Sequence, residues 1–293
     1  MKVEAECAAC IMSRAAAETQ EATPNPALRF RAMSELLKLL SKEFKPTAVP
    51  AELGTKRDRL IKRVTGNNDP YKRSKRLSNE KALKLLPYAR KIVEEGYTQM
   101  DRFKKACLCA IVGNSIEFDI PGHKFTFLGL RKDIREASKN LAVDDTSKIY
   151  ELAKKAETIL YLTDNAGEIV FDTLLVEQLK NMGLKVIVCV KGGPIVNDAT
   201  LEDAEISAMN KIADKVITTG TDAVGLALKE VSAEFLDTYN SVDMVFAKGM
   251  GYAETLTEYK FKKPHALLFR AKCNPVANFF AVQREKNVAK LMP

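Results

Sequence analysis

The chain has 293 residues, 46% of them hydrophobic, and a formal net charge of +8, enough to bury a full core and to build about two domains. No apolar run approaches the roughly 18 residues that a membrane span needs. The opening "MKVEAECAACIM" places Glu4 and Glu6 where a signal peptide would be basic and then apolar, so a cytoplasmic protein with no membrane partner is expected.

Six cysteines over this length are too few and too irregular for a disulfide framework, and reduced thiols are expected. Cys7 and Cys10 in "CAAC" could form half of a zinc site. The other half is missing, because Cys107 and Cys109 are one residue apart and the chain has only two histidines. Zinc shared with Cys107 or Cys109 in space stays open beside the plainer reading, a pair of buried helical thiols. A thioredoxin-like role would need a strand before the pair, and a helical stretch follows instead.

Up to about residue 118 the pattern is helical. "NPALRFRAMSELLKLLSKEF" and "NEKALKLLPYARKIVEEG" repeat apolar residues at three- and four-residue spacing. Between Lys56 and Lys91 there are 13 Lys/Arg against Asp58, Asp69 and Glu80. Such a segment attracts any anion, nucleic acid and phosphate esters alike. Only Tyr71 and Tyr88 interleave with it, which weakens base stacking, and a solvated basic face fits equally well. "RFKKACLCAIVGNSIEFD" reads as a buried helix ending near Gly113 and Asn114. A Pro/Gly-marked crossing, "DIPGHKFTFLG", and a short capped helix in "DDTSKIYELAKKAE" follow. These boundaries predict a helical domain over 1–120, a connecting segment over 121–156 and an α/β/α domain over 157–293.

From about residue 157, "TILYLT", "KVIVCV", "DKVITTG", "DMVFAKG" and "HALLFRA" are short β-branched or aromatic runs mostly separated by helical stretches. That alternation predicts a mostly parallel sheet with crossover helices. In such a sheet ligands bind beyond the carboxyl ends of the strands. There the sequence places Asp164-Asn165-Ala166-Gly167-Glu168, Lys191-Gly192-Gly193-Pro194 with Asn197-Asp198, Thr221-Asp222, Lys248-Gly249-Met250-Gly251 and Lys272-Cys273-Asn274.

Neither G-x-G-x-x-G nor G-x-x-x-x-G-K-[ST] is present. Asp164, Asn165 and Asp198 form an oxygen-only set suited to Mg²⁺ or Mn²⁺. Lys248-Gly249 suits the oxygens of a phosphate. Taken singly, each feature has a structural reading. Asn165-x-x-Glu168 fits a capping box worth about 1 kcal/mol, Asp198 to Glu202 reads similarly, Lys248 and Lys272 would be surface lysines, and His123 and His265 boundary histidines. Capping gives no reason for acid, amide and lysine to gather at one sheet edge.

"TDNAGE", "GGPIVNDAT", "AKGMG" and "FRAKC" follow successive strands, with "ECAAC" at the start and "NDPYK" and "GNSIEFD" in the helical half. This ordered set resembles the damage-control phosphatases, in particular the small microbial branch with an N-terminal CxxC, over nearly the whole chain. The resemblance implies a helical part, a Rossmann-like α/β/α part, and hydrolysis of phosphate monoesters such as sugar phosphates or phosphopantetheine with one divalent cation (Mn, Mg, Co or Ni). It implies that Asp164, Asn165 and Asp198 hold the metal and that Lys248 binds phosphate. Glu168, Asn114 and Glu117 are implied as pocket residues, with Gly249 and Lys272 beside the phosphate. One departure stands out: Tyr252 follows "KGMG" where the family usually has Asn. Water or a carboxylate such as Asp164 could serve as nucleophile. The alternative reading is a non-enzymatic nucleic-acid-binding protein using 56–91.

Overall fold

The computed structural model describes residues 1–113, 132 and 136–292. Five helices come first: α1 (Glu6–Ala22), α2 (Pro26–Glu43), α3 (Pro50–Thr65), α4 (Lys72–Glu94) and α5 (Gln99–Gly113). Local chemistry sets several of their ends. Asn25 caps α2 by accepting from the backbone N–H groups of Ala27 and Leu28, with Pro26 in the first turn. Gly66 closes α3 in a left-handed conformation, φ +73°. Pro87 sits inside α4, tolerated because it and Leu83 are exposed, so water can take the carbonyl that loses its partner.

The second half contributes β1 (Leu141–Asp144), α6 (Thr146–Ala153), β2 (Thr158–Leu162), α7 (Glu168–Asn181), β3 (Lys185–Val190), α8 (Leu201–Ile206), α9 (Met209–Ile212) and β4 (Lys215–Thr218). It ends with α10 (Ala233–Ser241), β5 (Met244–Lys248), α11 (Gly249–Leu256), β6 (His265–Arg270), α12 (Asn274–Phe279) and β7 (Asn287–Met292). The seven strands form one sheet in the order β1-β7-β6-β5-β2-β3-β4. The five from β4 to β6 are parallel neighbours, and β7 runs antiparallel to β6. The mixed α/β class and all five expected strands are present. The expectation lacked β1 and β7: in "LAVD" alternate residues are exposed, and in "NVAKLM" only the first three residues are fully buried, so both short runs carry a weak periodic signal.

Period-2 alternation builds three layers. Ile159 and Tyr161 of β2, with Val186 and Val188 of β3, face a core shared with α4, α5 and α7. Leu160 and Leu162, with Ile187 and Cys189, face the opposite core, together with residues of α10, α11 and α12. Both faces are covered, which is why these strands read as continuous apolar runs. Helices α1 to α3 close a third cluster around Leu36, Leu53 and Ile61.

Helix α3 reaches across to the loops at the sheet's carboxyl edge. Val196 N–H donates to Asp58 Oδ1 (2.9 Å) and Val224 N–H to Thr55 Oγ1 (2.9 Å). Lys62 Nζ donates to Pro194 O (2.6 Å) and Asp222 Oδ2 (3.0 Å), while Arg59 pairs with Asp222 (2.7 Å). Much of the basic segment is spent inside the molecule in this way. Arg57 binds Glu18 (2.9 Å), both buried, Lys75 binds Asp69 (2.9 Å), and Arg90 binds Glu177.

Candidate active site

The order β4-β3-β2-β5-β6 reverses direction between β2 and β5, and a crevice opens at such a switch point. The loop after β2 and the loop after β3 are stitched together there. An antiparallel bridge pairs Asn165 with Asp198. Ala199 N–H donates to Asp164 O (2.7 Å) and Ala166 N–H to Asn197 O (2.9 Å). Asp164, Asn165 and Asp198 therefore start from adjoining backbone, and all three line one cavity of about 450 Å³. From the β5 side, Gly249 opens α11 at φ +83°, and a Cβ there would lie 1.9 Å from Asp164 Oδ2.

Two buried lysines support the three oxygen-bearing side chains from behind. Lys191 Nζ lies 3.5 Å from Asp198 Oδ2, donates to Gly225 O (2.8 Å), and sits 4.6 Å from the ring centre of Tyr252. Burial pushes the Asp198 pKa up to about 6, Lys191 pulls it back, and the carboxylates of Asp58 and Glu168 add to the rise. Lys248 Nζ donates to Asp172 Oδ1 (2.6 Å), Glu168 Oε1 (2.7 Å) and Ala110 O (2.8 Å). Burial works against its charge, yet Asp172 and Glu168 more than offset this and hold its pKa above the ordinary lysine value. Asp172, buried but facing Lys248, is raised to about 6.

Lys248 thus occupies a different place from the one expected. It is fully buried, and its three hydrogens already have acceptors, so it has none left for a phosphate. It anchors Glu168. Lys272 does line the cavity, as do Arg57 and Arg14. Asn114, Glu117 and His123 lie outside the described residues. Tyr252 is buried against Lys191 and does not line the cavity, so the departure noted at this position acts behind Asp198.

The capping expectation is half met. Glu168 Oε2 accepts weakly from Asn165 N–H (3.4 Å). The Asn165 side chain, however, donates through Nδ2 to Asp164 Oδ2 (2.8 Å) and Glu168 Oε2 (2.9 Å) and caps nothing. In the second loop the capping box is Thr200 with Asp203, two residues later than Asp198 and one beyond the Glu202 pairing, which leaves Asp198 to face the cavity. His265 is no boundary residue. It is fully buried, with Nε2 2.8 Å from Tyr239 OH and Nδ1 2.9 Å from Lys263 O.

Two supporting residues escaped the sequence reading. Asp58, an acid within a basic run, accepts from Val196 N–H (2.9 Å) and pairs with Lys62 (2.7 Å). Asn79 sits mid-helix in α4, where an amide is unfavourable without a local partner. It accepts from Gly167 N–H (2.7 Å) and donates to Asp203 (2.7 Å), tying α4 to both loops. That misplaced amide was the available signal.

Among the described residues no three His, Cys, Asp or Glu side chains gather closely enough to hold a metal. Cys7, Cys10 and Cys273 line the same cavity without forming such a group, and Cys107 and Cys109 are buried in α5. At the switch point the Asn165 amide makes a third donor beside two carboxylates. Its nitrogen is turned to Asp164 and Glu168, and Asp198 carries a buried charge only partly met by Lys191. That donor set fits a hard divalent cation.

The fold and this site define an α/β protein whose ligand pocket, walled by oxygen donors and cationic side chains, lies at the switch point of a largely parallel sheet. The model of the damage-control phosphatase ARMT1-like domain matches residues 3–288, and the chain belongs to that family. It is 36% identical to a damage-control phosphatase of Archaeoglobus fulgidus, covering 100% of both chains. It is 39% identical to an uncharacterised protein of Methanocaldococcus jannaschii, covering 98% of this chain and 95% of the relative. The crystal structure of a DUF89 family protein from Pyrococcus horikoshii superposes with a TM-score of 0.88 at 36% identity, covering 99% of this chain and 98% of that one.

Proposed function

We propose that the chain is a metal-dependent phosphatase that hydrolyses phosphate monoesters of small metabolites, such as sugar phosphates or phosphopantetheine-like compounds, in metabolite damage control. The observation that carries this reading is the convergence of Asp164, Asn165 and Asp198 on one cavity with Lys272 and Arg57 in its wall. A cavity of about 450 Å³ is of the size that small-molecule sites occupy, about 300–1,000 Å³.

Asp164, Asn165 and Asp198 would hold the cation through oxygen. Bound there, a divalent ion neutralises phosphoryl oxygens and lowers the pKa of water it binds. Lys272 would face the remaining phosphate charge, the place the sequence reading gave it beside Lys248, while Arg57 lies in the wall paired with Glu18. Ile11, Val224 and Met250 line the cavity as well and exclude water from the alcohol side of the ester. Glu168 acts as support rather than as an acid or base.

The test is a phosphatase screen. EDTA-stripped protein is assayed on an aryl phosphate and a panel of sugar phosphates with Mg²⁺, Mn²⁺, Co²⁺ or Ni²⁺ restored. We expect phosphate release only with metal, and Asp164→Ala and Asp198→Ala each to lose on the order of 100-fold or more. Absence of activity with every metal, or full activity in either variant, would sink the reading.

A further inference from the structure

We infer that Glu168, locked by Lys248, is a positioning residue that fixes which end of the Asn165 amide faces the cation. The inference rests on the proposed metal site and adds a second layer to it. An amide ligates a hard cation only through oxygen, so an inverted Asn165 would present nitrogen and lose the ligand. The partners decide its orientation. The atom directed at Asp164 Oδ2 (2.8 Å) and Glu168 Oε2 (2.9 Å) meets two carboxylate oxygens and must be the donor. Turned over, Oδ1 would lie against both.

Glu168 cannot swing aside to permit that. It is buried, and its Oε1 accepts from Lys248 Nζ at 2.7 Å. Lys248 is held in turn by Ala110 O and by Asp172, which also accepts from Tyr161 OH at 2.8 Å. Along Tyr161–Asp172–Lys248–Glu168–Asn165 donors and acceptors alternate, so each member fixes the role of the next from beneath the sheet edge to the cavity.

Polarity makes the inference testable by exchange. In Glu168→Gln, Lys248 still demands an acceptor, so the introduced amide turns its oxygen to Lys248 and its NH₂ to Asn165. Asn165 then either sets its own NH₂ against the introduced one, or inverts, offering Oδ1 to that NH₂ at the expense of its bond to Asp164 Oδ2 and turning nitrogen to the cation; both weaken the ligand. Adding Asn165→Asp restores an oxygen on the cavity side while accepting from the introduced NH₂. Mn²⁺ binding is measured by calorimetry on stripped full-length wild type, E168Q, N165D, N165D/E168Q and D198A, with circular dichroism and thermal unfolding in EDTA establishing that each folds.

We expect E168Q to bind Mn²⁺ about 30-fold more weakly, on the scale of a lost charge-facing ligand, and the double variant to bind at least about tenfold more tightly than E168Q. E168Q with wild-type affinity, or a double variant no tighter than E168Q, overturns the inference while leaving the metal site standing. Wild type that binds no cation, or D198A that binds as well as wild type, overturns the site reading and the inference with it. A purely structural Glu168 would lower stability in both variants and give no rescue.

Discussion

Gly249 shows how closely single residues are fitted here. Its φ of +83° and the 1.9 Å separation between a notional Cβ and Asp164 Oδ2 leave no room for a side chain. Gly249→Ala should cost about 1–3 kcal/mol, the usual range for a strained left-handed position, and should displace Asp164. Urea unfolding and Mn²⁺ titration read the two effects. His265 sets a pH dependence of its own. Burial depresses its pKa to about 4, while its bond to Lys263 O opposes the shift and the Lys263 charge adds to it. The unfolded chain binds the proton first, near pH 6.5. The stability contributed by neutral His265 is therefore complete above that pH and is lost as pH falls toward 4. At about 1.4 kcal/mol per pKa unit the contribution is about 3 kcal/mol at most. His265→Gln should flatten the stability profile between those pH values relative to wild type.

At the level of elements, the site depends on how α3 and α4 clamp the loops after β2 and β3. Asn79 satisfies the buried Gly167 N–H and binds Asp203. Asn79→Ala leaves the Gly167 N–H without its side-chain partner and removes one donor from Asp203, which keeps Thr200; it should cost about 1–3 kcal/mol, measured by chemical denaturation, with weaker metal binding because the loops loosen. Arg57→Met leaves Glu18 buried without its cation. The expected loss is about 3 kcal/mol, in the range for breaking a buried pair. Arg59→Ala should cost less than about 1 kcal/mol, since its pairs with Asp222 and Glu230 are one-third to nearly one-half exposed. The capping motifs at this scale were readable in kind but misplaced in detail. Asn165 has the right type for a cap, yet Asp164 and Glu168 on either side of it claim its amide; what a local window does not show is Lys248, 80 residues away, which holds Glu168 in place.

For the whole molecule, the distribution of charge bears on the two functional readings. The excess between residues 56 and 91 suggested an anion-binding surface, but Arg57, Arg59, Lys62, Lys75 and Arg90 face Glu18, Asp222, Asp58, Asp69 and Glu177. These five cations are taken up by internal pairs, most of them within or between helices, while Arg59 reaches Asp222 in a loop of the sheet. Filter binding at about 150 mM salt should therefore show no specific association with RNA or DNA. Cation binding gives the complementary measurement. Saturation to 100 times the dissociation constant should stabilise the native chain by about 2.7 kcal/mol, an increase absent from D164A and D198A. No described helix is long and apolar enough to cross a membrane.

The α/β class, the five parallel strands and the placing of Asp164, Asn165 and Asp198 together at one sheet edge were legible in the sequence. Each of these follows from local periodicity or from the rule that strand ends converge. Only folding decided that β7 and β1 extend the sheet beyond β6, that Lys248 and His265 are buried, and that Arg57, Lys62 and Lys75 of the basic segment are spent on internal ion pairs. A lysine at the end of a strand reads the same whether its ammonium faces a cavity or two buried carboxylates. The carboxylates of Glu168 and Asp172 lie 80 and 76 residues from Lys248, and only folding brings them within reach.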